Sequence, residues 1–249
     1  MFEQEDRGEV AILRLRHGKA NALDLELCRE IPRRLTALRD SGRRAAVLTA
    51  EGRIFSAGVD LRRLSTGGPS YVEEFLPALD ECIRALVFFP LPLVAAVNGH
   101  AIAGGCILAA ACDSRILARG EGRIGTPELQ VGVPFPVAAF ELMRQVVPPR
   151  YLREVLVEGR IYSPDEALER GLVDELVEPD ALLERAVELA TSLSRFPRVT
   201  FAITKRQWRR PVETALREQT DLAREVADQW SSEEAHASIR SYVARTLGR

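Results

Sequence analysis

The sequence is poor in lysine and in aromatic residues, and its charges nearly cancel. Lysine occurs only at positions 19 and 205, so the other thirty-two of its 34 basic residues are arginines. Aromatic residues make up 6% of the chain, and the formal net charge is −2. General nucleic-acid binders usually carry a basic excess, so we expect no nucleic-acid partner.

The sequence also lacks the usual signals of disulfides and metal sites. Its four cysteines, at positions 28, 82, 106 and 112, show no CxxC spacing, and no cluster of residues has metal-ligand spacing. We therefore expect buried free thiols in a reducing compartment and no bound metal. No GxGxxG or P-loop motif is present either.

No part of the sequence indicates a membrane segment. No apolar run reaches the ~18 residues that a membrane-spanning helix needs, and the acidic start, Met-Phe-Glu-Gln-Glu-Asp, does not resemble a signal peptide. We expect a cytoplasmic protein with no membrane partner. Its 249 residues, 46% of them hydrophobic, are enough for one large core.

Alternating strand and helix patterns predict an α/β protein with a parallel sheet. Strands are predicted at 10–15, 45–49, 93–97 and 172–177, and helices at 25–39, 71–88, 106–112, 137–147 and 150–157. A mobile loop is predicted at 66–71, and a capping box at Ser163 predicts a short helix that Gly171 ends. Four further helices are predicted at 180–194, 198–208, 212–229 and 232–247.

The stretch from residue 93 to residue 136 carries the clearest chemical signal. An apolar strand and the sequence Ala103-Gly104-Gly105 lead into an apolar helix, whose first N–H groups favour a negative atom. Glu128 follows in an otherwise apolar stretch, which indicates proton transfer beside a developing oxyanion. From this stretch alone, glycines that only permit close packing and a solvated Glu128 explain the pattern equally well.

A second loop, FSAGVDL at 55–61, is placed to offer another N–H to the same oxygen. With this loop, the chain resembles the crotonase superfamily, also called the enoyl-CoA hydratase/isomerase family. The further matching motifs are AAVNGHAIAGGC (95–106), CDSRILA (112–118), TPELQVGVP (126–134) and YSPDEALERGLVDELV (162–177). The motifs occur in the family's order and extend over nearly the whole chain.

The resemblance implies an α/β fold with a crotonase-like ββα spiral core over residues 1–194. It implies a C-terminal helical trimerisation region over residues 195–249, and hence a homotrimer or homohexamer. The implied substrate is an acyl-CoA thioester, with coenzyme A as part of the substrate and no other cofactor.

By the same resemblance, the amides of Val59 and Gly104 bind the thioester carbonyl and Glu128 is the catalytic base. The second glutamate of the family's hydratases falls at Ile107 in this chain. Two carboxylates suit the addition of water, whereas one base is enough to move a double bond. The chain therefore resembles the single-glutamate Δ3,Δ2-enoyl-CoA isomerases most, and that activity is predicted.

The remaining residues that the resemblance implies for substrate and CoA binding are Ala22, Ala57, Asp60, Leu61, Gly105, Ile107 and Phe135. Asp60 also has the position of a helix N-cap, as does Asp24. Arg62, Arg63 and Lys205 are candidates for phosphate contacts, although exposed cations are usually solvated. The acyl pocket is expected to come from residues 66–90 and from the helix after residue 134.

Other functions remain open at this level. A hydratase or a thioester hydrolase would use Glu128 to position water. A non-catalytic acyl-CoA or RNA binder on the same scaffold is a further alternative, for which Arg206, Arg209 and Arg210 would form a surface patch.

Three polar or reactive residues near the motifs are interpreted as structural: His100, Cys106 and Asp113. The histidines at 17 and 236 are interpreted as lying far from any motif.

Overall fold

The computed structural model describes residues 1–246, which form two sheets packed among helices. The strands are β1 Phe2–Arg7, β2 Val10–Leu15, β3 Ala45–Ala50, β4 Ile54–Ser56, β5 Leu93–Val97, β6 His100–Ile102, β7 Ser114–Ala118, β8 Ile124–Gly125, β9 Ile161–Tyr162 and β10 Glu175–Val177. The larger sheet has the order β1-β2-β3-β5-β7-β10, and the smaller sheet has the order β4-β6-β8-β9.

The helices surround these sheets. They are α1 Leu25–Asp40, α2 Leu61–Val87, α3 Gly104–Ala110, α4 Glu128–Val131, α5 Val137–Val146, α6 Pro149–Val157, α7 Pro164–Glu169, α8 Leu182–Ser194, α9 Arg198–Trp208, α10 Arg210–Glu218, α11 Thr220–Trp230 and α12 Glu233–Thr246. The predicted end of the last helix, residue 247, lies outside the described residues. Among residues 1–246, no helix is both long and apolar enough to cross a membrane.

The inner strands of the larger sheet, from β2 to β7, are buried on both faces, as parallel strands usually are. From β2 to β10 its strands are parallel, and β1 pairs antiparallel with β2. Val10 and Ile12 belong to the cluster that packs with α8, while Ala11 and Leu13 belong to the main core. The predicted α/β class with a parallel sheet is therefore confirmed.

Two aspartates cap the helices that begin beside the smaller sheet. The Asp24 carboxylate accepts a 2.9 Å hydrogen bond from Leu27 N, and the Asp60 carboxylate accepts one of 3.0 Å from Arg63 N. Both N-caps were expected from the sequence and are confirmed. The predicted capping box is also present, since Glu166 accepts a 2.8 Å hydrogen bond from Ser163 N.

The structure corrects three predicted elements. The predicted loop 66–71 lies within α2, where two helical segments meet at Gly68, whose backbone alone is non-helical (φ 65°, ψ −163°). The predicted helix 212–229 is two helices, because Gln219 (φ −101°, ψ 41°) leaves helical geometry. The strand predicted at 172–177 covers only its last three residues.

The C-terminal helices pack on the rest of the chain. Helix α10 contacts α5, α11 contacts α2, and α12 contacts both α2 and α4. From α9, Lys205 Nζ donates a 2.9 Å hydrogen bond to Asp113 Oδ2, and both side chains are buried. The division into a core over 1–194 and an oligomerisation region over 195–249 stays a prediction.

Helix α3 lies so close to β4 that Gly105 has no room for a side chain. A Cβ atom placed on Gly105 would lie 2.2 Å from the Ser56 carbonyl oxygen. Gly105→Ala is therefore expected to lower the free energy of unfolding by about 2 kcal/mol, since the backbones must separate. Urea denaturation measures this loss.

Gly8→Ala provides the control for this prediction. Gly8 has φ +60° and open space around its Cα, so only backbone strain of about 1 kcal/mol is expected. Equal losses in the two variants would contradict a steric role for Gly105.

Candidate active site

Three parallel strands of the smaller sheet end at one edge and carry the predicted reacting groups there. Strand β4 pairs with β6, and β6 pairs with β8, both in parallel. Val59 follows β4, Gly104 follows β6 and Glu128 follows β8, each within three residues of its strand. Since the carboxyl ends of parallel strands lie at the same edge, the sheet brings these three residues together.

The amides of Val59 and Gly104 lie close together and have no acceptor within residues 1–246. A Cβ atom placed on Gly104 would be 3.7 Å from Val59 N. Leu23 and Val59 form an isolated parallel β-bridge. Leu23 N donates to Gly58 O and Asp60 N donates to Leu23 O, so the Val59 N–H is left unpaired. Gly104 opens α3, where N–H groups lack intrahelical partners. Two such donors suit one anionic oxygen.

The backbone around these amides is strained and tightly packed. Ala103 has φ 50° and ψ −123°, a conformation that residues with a side chain rarely adopt, and its N–H is held by Gly125 O at 2.8 Å. Gly58 has φ +82°, and a Cβ atom there would lie 2.6 Å from Ile102 O. Strain of this kind is concentrated at functional sites, where the surrounding structure maintains it.

Glu128 is a buried carboxylate without a charged partner. It opens the short helix α4 and is 7% exposed, and its Oε2 has no hydrogen-bond partner among the described residues. Burial raises its pKa to about 8, and its own backbone N–H opposes this shift only in part. A carboxyl group with a pKa near neutral is suited to exchange protons with a carbon acid.

A cavity of about 910 Å³ contains Val59, Gly104, Ile107 and Glu128 in its wall. One part of the wall is polar and includes His17, Lys19, Asp24, Asp60 and Arg62. Another part is apolar and includes Leu79, Ile83, Val131, Val133, Ala139 and Trp230. Arg62 lies before the kink of α2 at Gly68, whereas Leu79 and Ile83 lie after it, so different segments of α2 contribute to the polar and apolar parts.

Most of the residues predicted to bind substrate lie on this wall. Ala22, Ala57, Asp60, Leu61 and Ile107 line it.

Two of the predicted residues do not line the cavity. Gly105 instead packs against the Ser56 backbone, and Phe135 packs edge-on against Phe140 at 6.1 Å between ring centroids. Their assignment to substrate binding stays a prediction.

Two predicted surface cations are buried, so these expectations are wrong. Lys205 is held by Asp113, and burial lowers the pKa of its ammonium group, so it is not placed to meet a phosphate. Arg209 is 0% exposed and donates a 3.0 Å hydrogen bond to Cys112 O. The predicted surface patch therefore lacks Arg209, while Arg206 and Arg210 are exposed.

His17 was expected to lie far from any motif, and this expectation is wrong. It lines the cavity, with Nε2 2.6 Å from Asp24 Oδ2. The Asp24 carboxylate also caps α1 and lies 3.3 Å from Arg63 Nη1. One buried carboxylate thus links the start of α1 to two basic side chains.

The C-terminal helices supply a part of the wall that the sequence did not indicate. Trp230 of α11 and Tyr242 and Thr246 of α12 line the cavity beside α2 and α5. Helical periodicity shows which face of a helix is apolar, but it does not show what that face covers. No local signal in residues 220–246 therefore indicated this contact.

Comparison with known proteins agrees with this geometry. The sequence model of the Enoyl-CoA hydratase/isomerase family matches residues 5–246. Mitochondrial enoyl-CoA delta isomerase 1 of Mus musculus is 32% identical over 224 residues, covering 89% of this chain and 78% of its own. The short-chain-enoyl-CoA hydratase of Clostridium acetobutylicum is 30% identical over 219 residues, covering 85% and 84%.

A solved structure shows the same fold. The crystal structure of human mitochondrial delta3-delta2-enoyl-CoA isomerase superposes with a TM-score of 0.94 at 27% identity, covering 99% of this chain and 98% of that one. The predicted crotonase-type fold is confirmed. Fold and relatives together define an enzyme that acts on acyl-CoA thioesters.

The chain belongs to the enoyl-CoA hydratase/isomerase family of the crotonase superfamily. Isomerases and hydratases of this family need no cofactor beyond the CoA of the substrate. Within residues 1–246, no group of three His, Cys, Asp or Glu side chains is placed to hold a metal ion.

The raised pKa of Glu128 predicts a stability that falls with pH. The folded pKa of about 8 exceeds the ordinary value of 4.5, so the native state binds more protons than the unfolded state between these pH values. The free energy of unfolding therefore decreases as the pH rises through this window. The glutamine side chain in Glu128→Gln cannot ionise. The free energy of unfolding of this variant, relative to that of the wild type, is therefore expected to increase from pH 4.5 to pH 8.

Urea denaturation at pH 4, 6 and 8 measures this difference. Glu166→Gln is the control with the opposite sign, because hydrogen bonds from Ser163 lower the pKa of Glu166. If the free energy of unfolding of Glu128→Gln minus that of the wild type does not rise between pH 4 and pH 8, the raised pKa is contradicted.

Proposed function

We propose that the protein is a Δ3,Δ2-enoyl-CoA isomerase. The observation that carries the proposal is the buried carboxylate of Glu128, which has no charged partner and shares a cavity with the unpaired amides of Val59 and Gly104 and with the aliphatic side chain of Ile107. The two other carboxylates on the wall, Asp24 and Asp60, are engaged as helix caps.

The proposed reaction is a proton transfer between two carbons of a 3-enoyl thioester. Glu128 removes a proton from C2, and the electron pair of the broken C–H bond forms a C1–C2 double bond as the carbonyl oxygen becomes an oxyanion. The Val59 and Gly104 amides stabilise that oxygen, and one such donor is typically worth about 3 kcal/mol of barrier. Glu128 then returns the proton to C4, which restores the carbonyl and leaves the double bond between C2 and C3.

The environment of Glu128 supports this role. A base works best when its pKa is near the working pH, and burial places that of Glu128 at about 8. The adjacent wall is apolar, so no second ionised group competes for the proton. Hydration would need a group that holds and orients water, and the position of the family's second glutamate is occupied by Ile107, which is 3% exposed.

We propose that the CoA portion lies along the polar wall. Ala22, Ala57, Asp60 and Leu61 form this part of the cavity together with the basic side chain of Lys19. Asp60 contributes mainly by starting α2 with its cap. A basic side chain at this end is suited to the phosphates of CoA.

A homotrimer or homohexamer in the cytoplasm is part of the proposal. Large apolar side chains are exposed on the helices of the proposed oligomerisation region, which supports a subunit interface there. They are Val199, Ile203 and Leu222.

An assay with two substrates tests the activity. Wild type is expected to convert a cis-3-enoyl-CoA to the conjugated thioester, seen as a rise in absorbance, and to consume crotonyl-CoA only slowly. Glu128→Gln is expected to lower the isomerisation rate by about 10³-fold, because it keeps the shape of the base but cannot take a proton. Rapid loss of crotonyl-CoA with no isomerisation would favour a hydratase and refute the proposal.

Restoring the missing carboxylate tests the role of Ile107. Ile107→Glu is expected to hydrate crotonyl-CoA at least about tenfold faster than wild type, because two carboxylates then hold the attacking water. Ile107→Gln is the matched control, with similar volume and no charge. If both variants leave hydration unchanged, the single-carboxylate explanation of specificity is wrong.

A further inference from the structure

Trp230 presents only apolar surface to the cavity. Its side chain lines the wall and is 2% exposed. The indole Nε1–H donates a 2.9 Å hydrogen bond to Pro134 O, so its one polar group is already used within the protein. The ring that remains is a large flat surface whose position is set by that hydrogen bond.

The same hydrogen bond connects Trp230 to the segment after Glu128. Pro134 lies six residues beyond the proposed base. Gly132 of this segment packs against Ser238 of α12, where an added Cβ atom would lie 2.4 Å from Ser238 Cβ. The segment after Glu128 thus contacts two C-terminal helices: α11 through the hydrogen bond from Trp230 to Pro134 O, and α12 through the packing of Gly132 against Ser238.

The apolar wall around Trp230 comes from α11, from the segment after Glu128 and from the part of α2 that follows Gly68, whereas the start of α2 belongs to the polar wall. Leu79 and Ile83 are one turn apart on α2, and α11 packs against α2. Val131 and Val133 flank the Gly132 contact with α12. These side chains and Trp230 form an apolar end of the cavity, which is suited to exclude water and to bind a hydrocarbon chain.

The proposed chemistry sets the direction of the acyl chain. A thioester with its carbonyl at the paired amides and C2 at Glu128 has CoA on one side and the rest of the acyl chain on the other. Since the polar wall suits CoA, the acyl chain must extend along the apolar wall. The length of chain that fits then depends on the side chain that bounds this end.

We infer that Trp230 is a specificity-determining residue that limits the length of the acyl chain. The inference rests on the proposed acyl-CoA site and adds the C-terminal helix α11 to it. Trp230 does not touch the reacting atoms. It acts through the volume it occupies at the apolar end.

The direct test measures affinity without turnover. Saturated acyl-CoAs from butyryl-CoA to dodecanoyl-CoA are titrated by calorimetry into wild type, Trp230→Ala, Trp230→Phe and Trp208→Ala. Each buried methylene changes affinity about fourfold, so room for two more methylenes predicts a shift of about 16-fold in the long-to-short affinity ratio of Trp230→Ala. Trp230→Phe removes the same hydrogen bond but less volume, so a smaller shift in the same direction is expected.

Trp208→Ala is the matched control. Trp208 is 46% exposed and stacks with Arg209 at 4.0 Å, and it does not line the cavity. Its variant is expected to keep the chain-length profile of the wild type. An equal loss of affinity for all chain lengths in both Trp230 variants would show a purely structural role and overturn the inference.

Fluorescence gives a second readout that does not depend on the stability of Trp230→Ala. The chain has only two tryptophans, so Trp208→Phe leaves Trp230 as the sole one. Its emission is expected to change with long-chain acyl-CoA and to stay constant with free CoA. No change with any acyl-CoA would overturn the inference.

The outcomes separate the inference from the proposed function. An active isomerase with an unchanged chain-length profile in both Trp230 variants refutes the inference and leaves the function standing. A wild type that binds no acyl-CoA of any length refutes both. A shifted profile in a protein without isomerase activity supports Trp230 as the limit of an acyl site and refutes the proposed reaction.

Discussion

The parallel pairing of three very short strands is the constraint on which the rest of the site depends. Strands β4, β6 and β8 contain only two or three residues each, yet their register determines where two amides and a carboxylate lie relative to one another. The pairing brings backbones into close contact at Gly58 and Gly105, where an added Cβ atom would collide with the carbonyl oxygens of Ile102 and Ser56. The remaining elements bury this small sheet and keep its edge in place.

Burial has opposite consequences in two parts of the molecule. At Glu128 no countercharge relieves desolvation, so the carboxyl group keeps its proton to about pH 8 and gains reactivity at a cost in stability. At Lys205 the carboxylate of Asp113 is 2.9 Å away, and the pair joins α9 to the sheet. Desolvation therefore produces a reactive group at Glu128, where a charged partner is missing, and accompanies a structural ion pair at Lys205, where a partner is present.

Local signals predicted the site better than they predicted its surroundings. The stretch that carries Gly104 and Glu128 stood out because strand, turn and helix-start signals lie within a few residues of each other. The roles given to Val59, Gly104 and Glu128 came from the resemblance to the family. The burial of Lys205 and the position of His17 depend on residues far away in the chain, and no local pattern encodes them. The break at Gln219 was missed because no glycine or proline marks it.

The contacts of the segment after Glu128 have a consequence for biosynthesis. Trp230 and Ser238, which hold that segment, belong to the last two described helices. All the strands precede these helices in the chain, so they leave the ribosome before α11 and α12 do. Until these two helices dock, the apolar side chains that they cover are exposed, and exposed apolar surface promotes aggregation.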